Sequence, residues 1–329
     1  MTINNEDHTT MNSAGPWYSR VLLCGKQAFH PSLKTAYWIL SISVPVSFGV
    51  FILQYTGTLH VIARFFTPLF LHLGLPGESA IVFATACFLN VYSSIVVIQT
   101  LGFAGRTVTI LALMCLVCHN LPVESVVQKK TGAPAWKMVV IRLAGAVAGG
   151  FVLNRLLPAE AGSVVQAAAE QAGAAASFLM QLQAWFFSTM LFCVKIILFI
   201  TMLMILQRVM EEFGITTFLS RLLKYPLMVL GVPHEAAFLW IVANTIGLAY
   251  GAGVLIDYTE RGKISKNHAL LLNYHIAVSH SLFEDTLLFV AIGVSAGWII
   301  FPRLALAAVV VWAKRLIDWT VARVSMAKQ

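Results

Sequence analysis

The apolar run around 107–121 contains Leu111-Ala112-Leu113-Met114-Cys115-Leu116-Val117-Cys118 and stops abruptly in His119-Asn120-Leu121-Pro122-Val123-Glu124. About 160 residues later the run around 267–282 stops in the same way, in Ser279-His280-Ser281-Leu282-Phe283-Glu284-Asp285. A spanning helix needs about 20 mostly apolar residues, so each of these shorter runs reads as a half-helix. Pro122 lacks an N–H and is expected to end the incoming helix near His119 and Asn120, which leaves Glu124 at the start of an outgoing one. Working outward, a second pair of segments matches. Pro68-Leu69-Phe70-Leu71-His72-Leu73-Gly74-Leu75-Pro76-Gly77-Glu78 aligns, with one gap, on Pro226-Leu227-Met228-Val229-Leu230-Gly231-Val232-Pro233-His234-Glu235, and each precedes a long apolar run. In this alignment Glu124 falls opposite Glu284. The repeating unit is about 157–161 residues, too long for a solenoid and the size of a duplicated membrane half.

Composition gives the solvent. Of 329 residues, 59% are hydrophobic and 11% charged, against about 25% charged in soluble proteins. With a mean hydropathy of +0.81, 21 Phe and 8 Trp, the chain is an all-α integral membrane protein. The net charge of +8 is scattered between apolar runs, so the lipid bilayer is the expected partner and nucleic acid is not. Cys24, Cys87, Cys115, Cys118 and Cys193 are odd in number, and all but the first lie in apolar segments. No disulfide framework follows. The first thirty residues carry Glu6 and Asp7 and no continuous apolar stretch, so no signal peptide is expected.

Six segments, 36–54, 77–98, 136–157, 182–205, 233–256 and 303–320, have spanning length and composition, while 57–74 and 207–231 mix charge with apolar residues and read as interfacial helices. Residues 156–194 hold Glu160 and Glu170 but no Lys or Arg, which places this linker outside. The basic flanks, Lys129 and Lys130, and the tail with Lys314, Arg315 and Arg323 belong inside. These conditions are met if 36–54 goes out, 77–98 returns, 107–121 folds back as a re-entrant hairpin through His119–Glu124, and 136–157 exits. The second half then repeats the path upside down. One loop, 257–266, would lie outside with a net +1 from Arg261, Lys263 and Lys266 against Asp257 and Glu260. The organisation expected is a cytoplasmic segment (1–35), a first repeat (36–157), an external Ala/Gly-rich linker (158–181), a second, inverted repeat (182–320) and a cytoplasmic tail (321–329). Each repeat contributes about three transmembrane helices, a re-entrant hairpin and an interfacial helix.

Ionisable residues in hydrocarbon cost about 2.5–3.5 kcal/mol even on lenient scales, so they normally face a partner or a cavity. His119, Asn120, Glu124, His280, Ser281, Glu284 and Asp285 are therefore the first candidates for a substrate site. Carboxylates at a helix start are also ordinary dipole-complementing caps, and a buried imidazole is often structural. Asn90, Tyr92 and Ser93 in one long helix, and Asn244 and Tyr250 in the other, could complete the site from the opposite side; small-residue helix packing is an equal alternative. Lys195, halfway along its span, could neutralise Glu284 or Asp285, whereas Arg142 and Arg155 lie nearer span ends, where snorkelling is easier. Cys115-Leu116-Val117-Cys118-His119 spells a haem attachment pattern and Gly293-Val294-Ser295-Ala296-Gly297 a nucleophile elbow. Both sit in helical apolar runs where neither chemistry operates. Cys24-Gly25-Lys26 lacks the rest of a phosphate-binding loop, so no nucleotide-hydrolysing engine and no enzyme activity are expected.

Gly102-Phe103-Ala104-Gly105-Arg106, Leu111-Ala112-Leu113-Met114 and His119-Asn120-Leu121-Pro122-Val123-Glu124 resemble the nucleoside recognition, or Gate-domain, membrane proteins. Tyr250-Gly251-Ala252-Gly253 and His280-Ser281-Leu282-Phe283-Glu284-Asp285 resemble a second Gate domain. The resemblance covers about 36–320. Similar regions occur in concentrative nucleoside transporters, ferrous iron permeases and spore maturation membrane proteins, so it implies hairpin-containing inverted repeats and leaves the substrate open. The GTPase domain of the iron permeases is absent from this sequence. The function expected is a secondary transporter or permease in a bacterial inner membrane with both termini cytoplasmic. It would move a small polar solute, nucleoside-like, organic or metal ion, with H+ or Na+ as a coupling ion and no resident cofactor, and a second copy of the chain is a candidate partner. The alternatives are a non-transporting scaffold and a membrane-embedded metal-dependent enzyme.

Overall fold

The computed structural model describes residues 16–158, 177–245 and 248–326. Among them all regular structure is helical. In the first half α1 (Trp17–Tyr55) leads to α2 (Thr58–His72), then α3 (Ser79–Phe88), α4 (Val91–Thr100), α5 (Gly105–Cys118), α6 (Leu121–Lys130) and α7 (Ala135–Leu156). The second half runs α8 (Phe178–Glu212), α9 (Ile215–Val229), a short turn of 3₁₀ helix (His234–Ala236), α10 (Ala237–Thr245), α11 (Leu248–Glu260), α12 (Lys266–Ser279), α13 (Leu282–Val290) and α14 (Ala296–Met326). Five stretches are long and apolar enough to cross a membrane: α1, α5 with α6, α7, α8 and α14.

Several boundaries differ from the expected ones because charge on one face does not end a helix. α1 starts at Trp17 and passes the expected boundary at 35; its 39 residues make a rod of about 58 Å, nearly twice the hydrocarbon thickness. α8 already begins at Phe178 and includes 207–212, so the interfacial helix of that half is only α9, opened by Gly214 at φ 65. The tail from 321 continues α14 as far as Met326. The linker from 159 to 176 lies outside the described residues.

The element that folds back is not the expected one. The run 77–98 breaks at Leu89 and Asn90, where Asn90 is extended (φ −152, ψ 170) and caps α4 by accepting from the Ser93 N–H at 2.9 Å. α3 and α4 pack against each other as a re-entrant hairpin, and α4 is held to α1 through Ser43–Ser93 (2.9 Å) and Ser47–Thr100 (3.0 Å) hydroxyl contacts. α10 and α11 pack in the same manner. By contrast, α5 and α6 lie end to end as one broken crossing. The turn at Gly132 is closed by Ala133 N–H to Gln128 O (3.0 Å), and α7 then runs back past the whole length. Its Arg142 meets Val117 O, Gly149 rests on Leu113, and Asn154 meets Arg106 at the start of α5. Pro122 sits in the first turn of α6, where the missing N–H is free of cost, so it starts the outgoing helix in line with α5 and does not reverse the chain.

The two halves repeat the same local structure. Positive φ recurs at Gly57 and Gly214, Gly74 and Gly231, Gly102 and Gly262, Asn120 and Ser281, and Gly132 and Gly293. Three helix ends close identically in both halves: Leu75 N to Phe70 O with Val232 N to Leu227 O, Phe103 N to Ile98 O with Lys263 N to Tyr258 O, and Ala133 N to Gln128 O with Val294 N to Phe289 O. α1 and its counterpart α8 pack antiparallel. Contacts run from Arg20–Glu212 (2.7 Å) through Ser32–Thr201 (3.0 Å) and Ser47–Trp185 (3.0 Å) to Tyr55–Phe178 (4.8 Å). The main apolar core, centred on α4 and α5, also takes in residues of α8, α13 and α14 and so joins the halves.

Candidate functional site at the broken helices

α5 ends at His119, whose ψ of 155 takes the backbone out of the helix, and Asn120 then turns left-handed at φ 49. His280 and Ser281 do the same with ψ 158 and φ 50. Each left-handed residue is anchored by the first arm of its own hairpin: Asn120 N–H donates to Ala86 O (2.8 Å) and Ser281 N–H to Ala243 O (3.1 Å). Asn244 adds to this in the second half, its Oδ1 accepting from Leu282 N–H at 3.3 Å.

A helix that ends inside a membrane leaves carbonyls without partners. Arg142 takes two of them, donating from Nε to Val117 O (2.8 Å) and from Nη2 to His119 O. Arg303 makes the same fork to Val278 O (3.2 Å) and His280 O (2.6 Å). Both guanidinium groups are fully buried. The expectation that Arg142 snorkels is therefore corrected: its side chain points inward, because hydrocarbon offers nothing and the helix end offers acceptors. Arg142 and Arg303 are the functional candidates that sequence reading missed. Their spacing equals that of the two histidines, and this was the signal that could have found them.

The third donor of each fork separates the halves. Arg142 Nη1 pairs with Glu124 Oε2 at 2.6 Å. The residue 161 positions after Glu124 is Asp285, not Glu284, so the expected alignment is corrected by one place. Asp285 is one methylene shorter and forms no ion pair with Arg303 among the described residues, whereas Arg142 and Glu124 do pair; none of Arg142 Nη1, Glu124 Oε2, Arg303 Nη1 and Asp285 Oδ2 has a well-directed hydrogen bond there. Glu284 is half-buried beside them and accepts from the Tyr92 hydroxyl at 3.2 Å. At the centre the imidazoles meet, His119 Nε2 and His280 Nε2 being 3.3 Å apart. Glu124 bridges them, with Oε1 3.1 Å from His119 Nε2 and Oε2 2.9 Å from His280 Nε2. Asp285 Oδ2 is 3.6 Å from His119 Nε2.

The expected residues thus divide. His119, Glu124, His280, Asp285 and, through Tyr92, Glu284 come together; Asn120, Ser281 and Asn244 shape the breaks. Asn90 caps α4 and the Ser93 hydroxyl meets Ser43 on α1. Tyr250 lies in α11, and its side chain is outside the described residues. Lys195 is exposed on α8 and forms no ion pair with Glu284 or Asp285 among the described residues. It lines a separate cavity of about 790 Å³ with Ile95, Gln99, Phe103, Phe192 and Leu288, because α8 meets the core along α1 and α4 and not at the breaks.

Among curated proteins the chain is similar to one described as an uncharacterized membrane protein, YvoD, of Bacillus subtilis (strain 168). The identity is 29% over 299 residues, covering 89% of this chain and 94% of that protein. No protein-family model matches the chain, and no solved structure does. Together with the apolar helices, this likeness makes the chain a multi-pass membrane protein.

Proposed function

We propose that this membrane protein is a secondary permease for a small polar or ionic solute, with the cluster at the two helix breaks as its site and H+ or Na+ as coupling ion. The observation that carries the reading is the meeting of two broken helix pairs, α5 with α6 and α12 with α13, at buried His119 and His280. Discontinuous helices that face one another across a repeat are how transporters build a midplane site, since each half can rock while the site stays fixed. The resemblance to Gate-domain proteins points the same way.

Inversion of the repeats is part of this reading. Counterpart helices that pack antiparallel, as α1 and α8 do, are related by an axis perpendicular to their length. For spanning helices such an axis lies in the membrane plane. Charge supports the same arrangement. With α3 and α4 as the hairpin and α5 with α6 as the crossing, the loop holding Arg261 and Lys263 moves to the side that holds Lys129, Lys130, Arg221 and Lys224. The weak violation of the positive-inside rule disappears, and both termini lie on that basic, cytoplasmic side.

The test is flux in proteoliposomes under imposed proton and sodium gradients, over a panel of nucleosides, organic anions and divalent metals. Saturable uptake of one class, lost in the His119→Ala/His280→Ala protein, is the expected result. Monodisperse protein that moves nothing under either gradient refutes the permease and leaves a scaffold.

A further inference from the structure

We infer that His119, Glu124 and His280 bind one divalent transition-metal ion, with Asp285 beside them, and that this ion is the permease's solute. The second part rests on the permease reading above; the first stands on geometry alone.

One ligand atom from each of His119, Glu124 and His280 lies within 4.8 Å of the other two, and all three residues are buried. The separations are 3.1 Å (His119 to Glu124 Oε1), 2.9 Å (His280 to Glu124 Oε2) and 3.3 Å between the imidazole nitrogens. A tetrahedral ion with bonds of about 2.0–2.1 Å has ligand–ligand edges of about 3.3 Å. The same spacing leaves no room for an organic group between the donors.

The imidazoles are also held in the form a metal needs. His119 Nδ1 lies 3.2 Å from Leu116 O and His280 Nδ1 2.8 Å from Ile276 O. Each carbonyl fixes the proton on Nδ1 and turns the Nε2 lone pair toward the other ring, the usual outer-shell arrangement of metal-bound histidine. Two Nε2 atoms and a Glu124 oxygen then face one another as acceptors, with Asp285 Oδ2 3.6 Å from His119 Nε2 at the edge of the group. Acceptors so arranged repel unless a cation joins them. Imidazole with carboxylate suits zinc, cobalt, iron, manganese or nickel more than calcium or magnesium, which favour all-oxygen shells.

The surroundings suit a carried ion more than a permanent one. Arg142 and Arg303 offset the charges of Glu124 and Asp285, so affinity comes from the coordinate bonds and not from a net negative well. His119 and Glu124 come from one repeat, His280 and Asp285 from the other. A relative movement of the repeats would take the shell apart and release its contents.

The experiment is a titration of the purified full-length protein with Co2+, followed by its visible d–d absorption, with bound metal counted by elemental analysis. One Co2+ per chain with the intense bands of a tetrahedral site is expected. His119→Ala and His280→Ala are each expected to weaken binding at least 10-fold, while His268→Ala, at an exposed His–Glu pair away from the site, leaves it unchanged. If an alanine variant does not stay monodisperse, Glu124→Gln, which keeps the side-chain size, is expected to show the same loss. No Co2+ absorption, or absorption unchanged in these variants, overturns the metal site. Adding zinc uptake in proteoliposomes separates the two readings. Co2+ binding without uptake keeps the site and refutes its role in transport; uptake of an organic solute by a protein that binds no Co2+ keeps the permease and refutes the metal.

Discussion

Arg142 and Arg303 hold the two helix breaks in shape, each spending two of its donors on carbonyls of an interrupted helix. Removing one member of a buried ion pair costs about 3–5 kcal/mol, because the other charge is left in low dielectric. Arg142→Ala orphans Glu124 and is expected to lose this much in denaturant unfolding in detergent. Arg303→Ala is expected to lose less, since Arg142 is ion-paired to Glu124 at 2.6 Å and Arg303 has no ion pair among the described residues. Arg142→Lys keeps the charge but not the planar fork, and should recover only a small part of the loss. At the neighbouring left-handed positions, Asn120→Gly is expected to be tolerated. Ser281→Val should destabilise by about 1–2 kcal/mol, because a branched side chain meets the following carbonyl there. His119, Glu124, His280 and Asp285 were legible in the sequence because polar groups in hydrocarbon demand an explanation. Arg142 was not, since a lone arginine toward the end of a span reads as one that reaches water, and only the repeat spacing separates the two cases.

At the scale of elements, the same apolar runs support two chain paths, and sequence reading chose the wrong hairpin. The 77–98 run looks continuous because only one asparagine interrupts it, yet an asparagine directly before an apolar helical stretch is an N-cap signal. The 107–130 run looks broken because His119 to Glu124 is dense in polar groups, yet the break is only two residues and α7 aligns both pieces. Which run folds back was decided by packing against α7 and α1, and packing leaves no mark on local periodicity. The helix inventory of each half was nevertheless legible, since length and hydropathy fix it. Single cysteines in a cysteine-free background separate the two paths. Lys130→Cys and Lys263→Cys are expected to react with an impermeant maleimide from the same side, and Ser295→Cys from the other. Reaction of positions 130 and 263 from opposite sides would restore the hairpin at 119–124 and overturn the broken crossing.

For the whole molecule, α1 packs antiparallel on α8 and His119 meets His280; on the proposed inversion the two halves share one axis with the ionisable cluster on it. The apolar core crosses that axis, so the halves are not independent domains, and movement between them must rearrange contacts at the breaks. A site that serves transport has to open to each side in turn. Ser125 and Thr286, each one residue beyond a cluster carboxylate, are both buried, and their positions exchange roles under the repeat. The most direct measurement is therefore the reaction rate of Ser125→Cys and Thr286→Cys, in a cysteine-free background, with an impermeant thiol reagent applied separately to each face of oriented vesicles. Both positions are expected to react from both faces, more slowly once Co2+ occupies the cluster. Reaction of neither, or of each from one and the same face only, contradicts alternating access at these breaks.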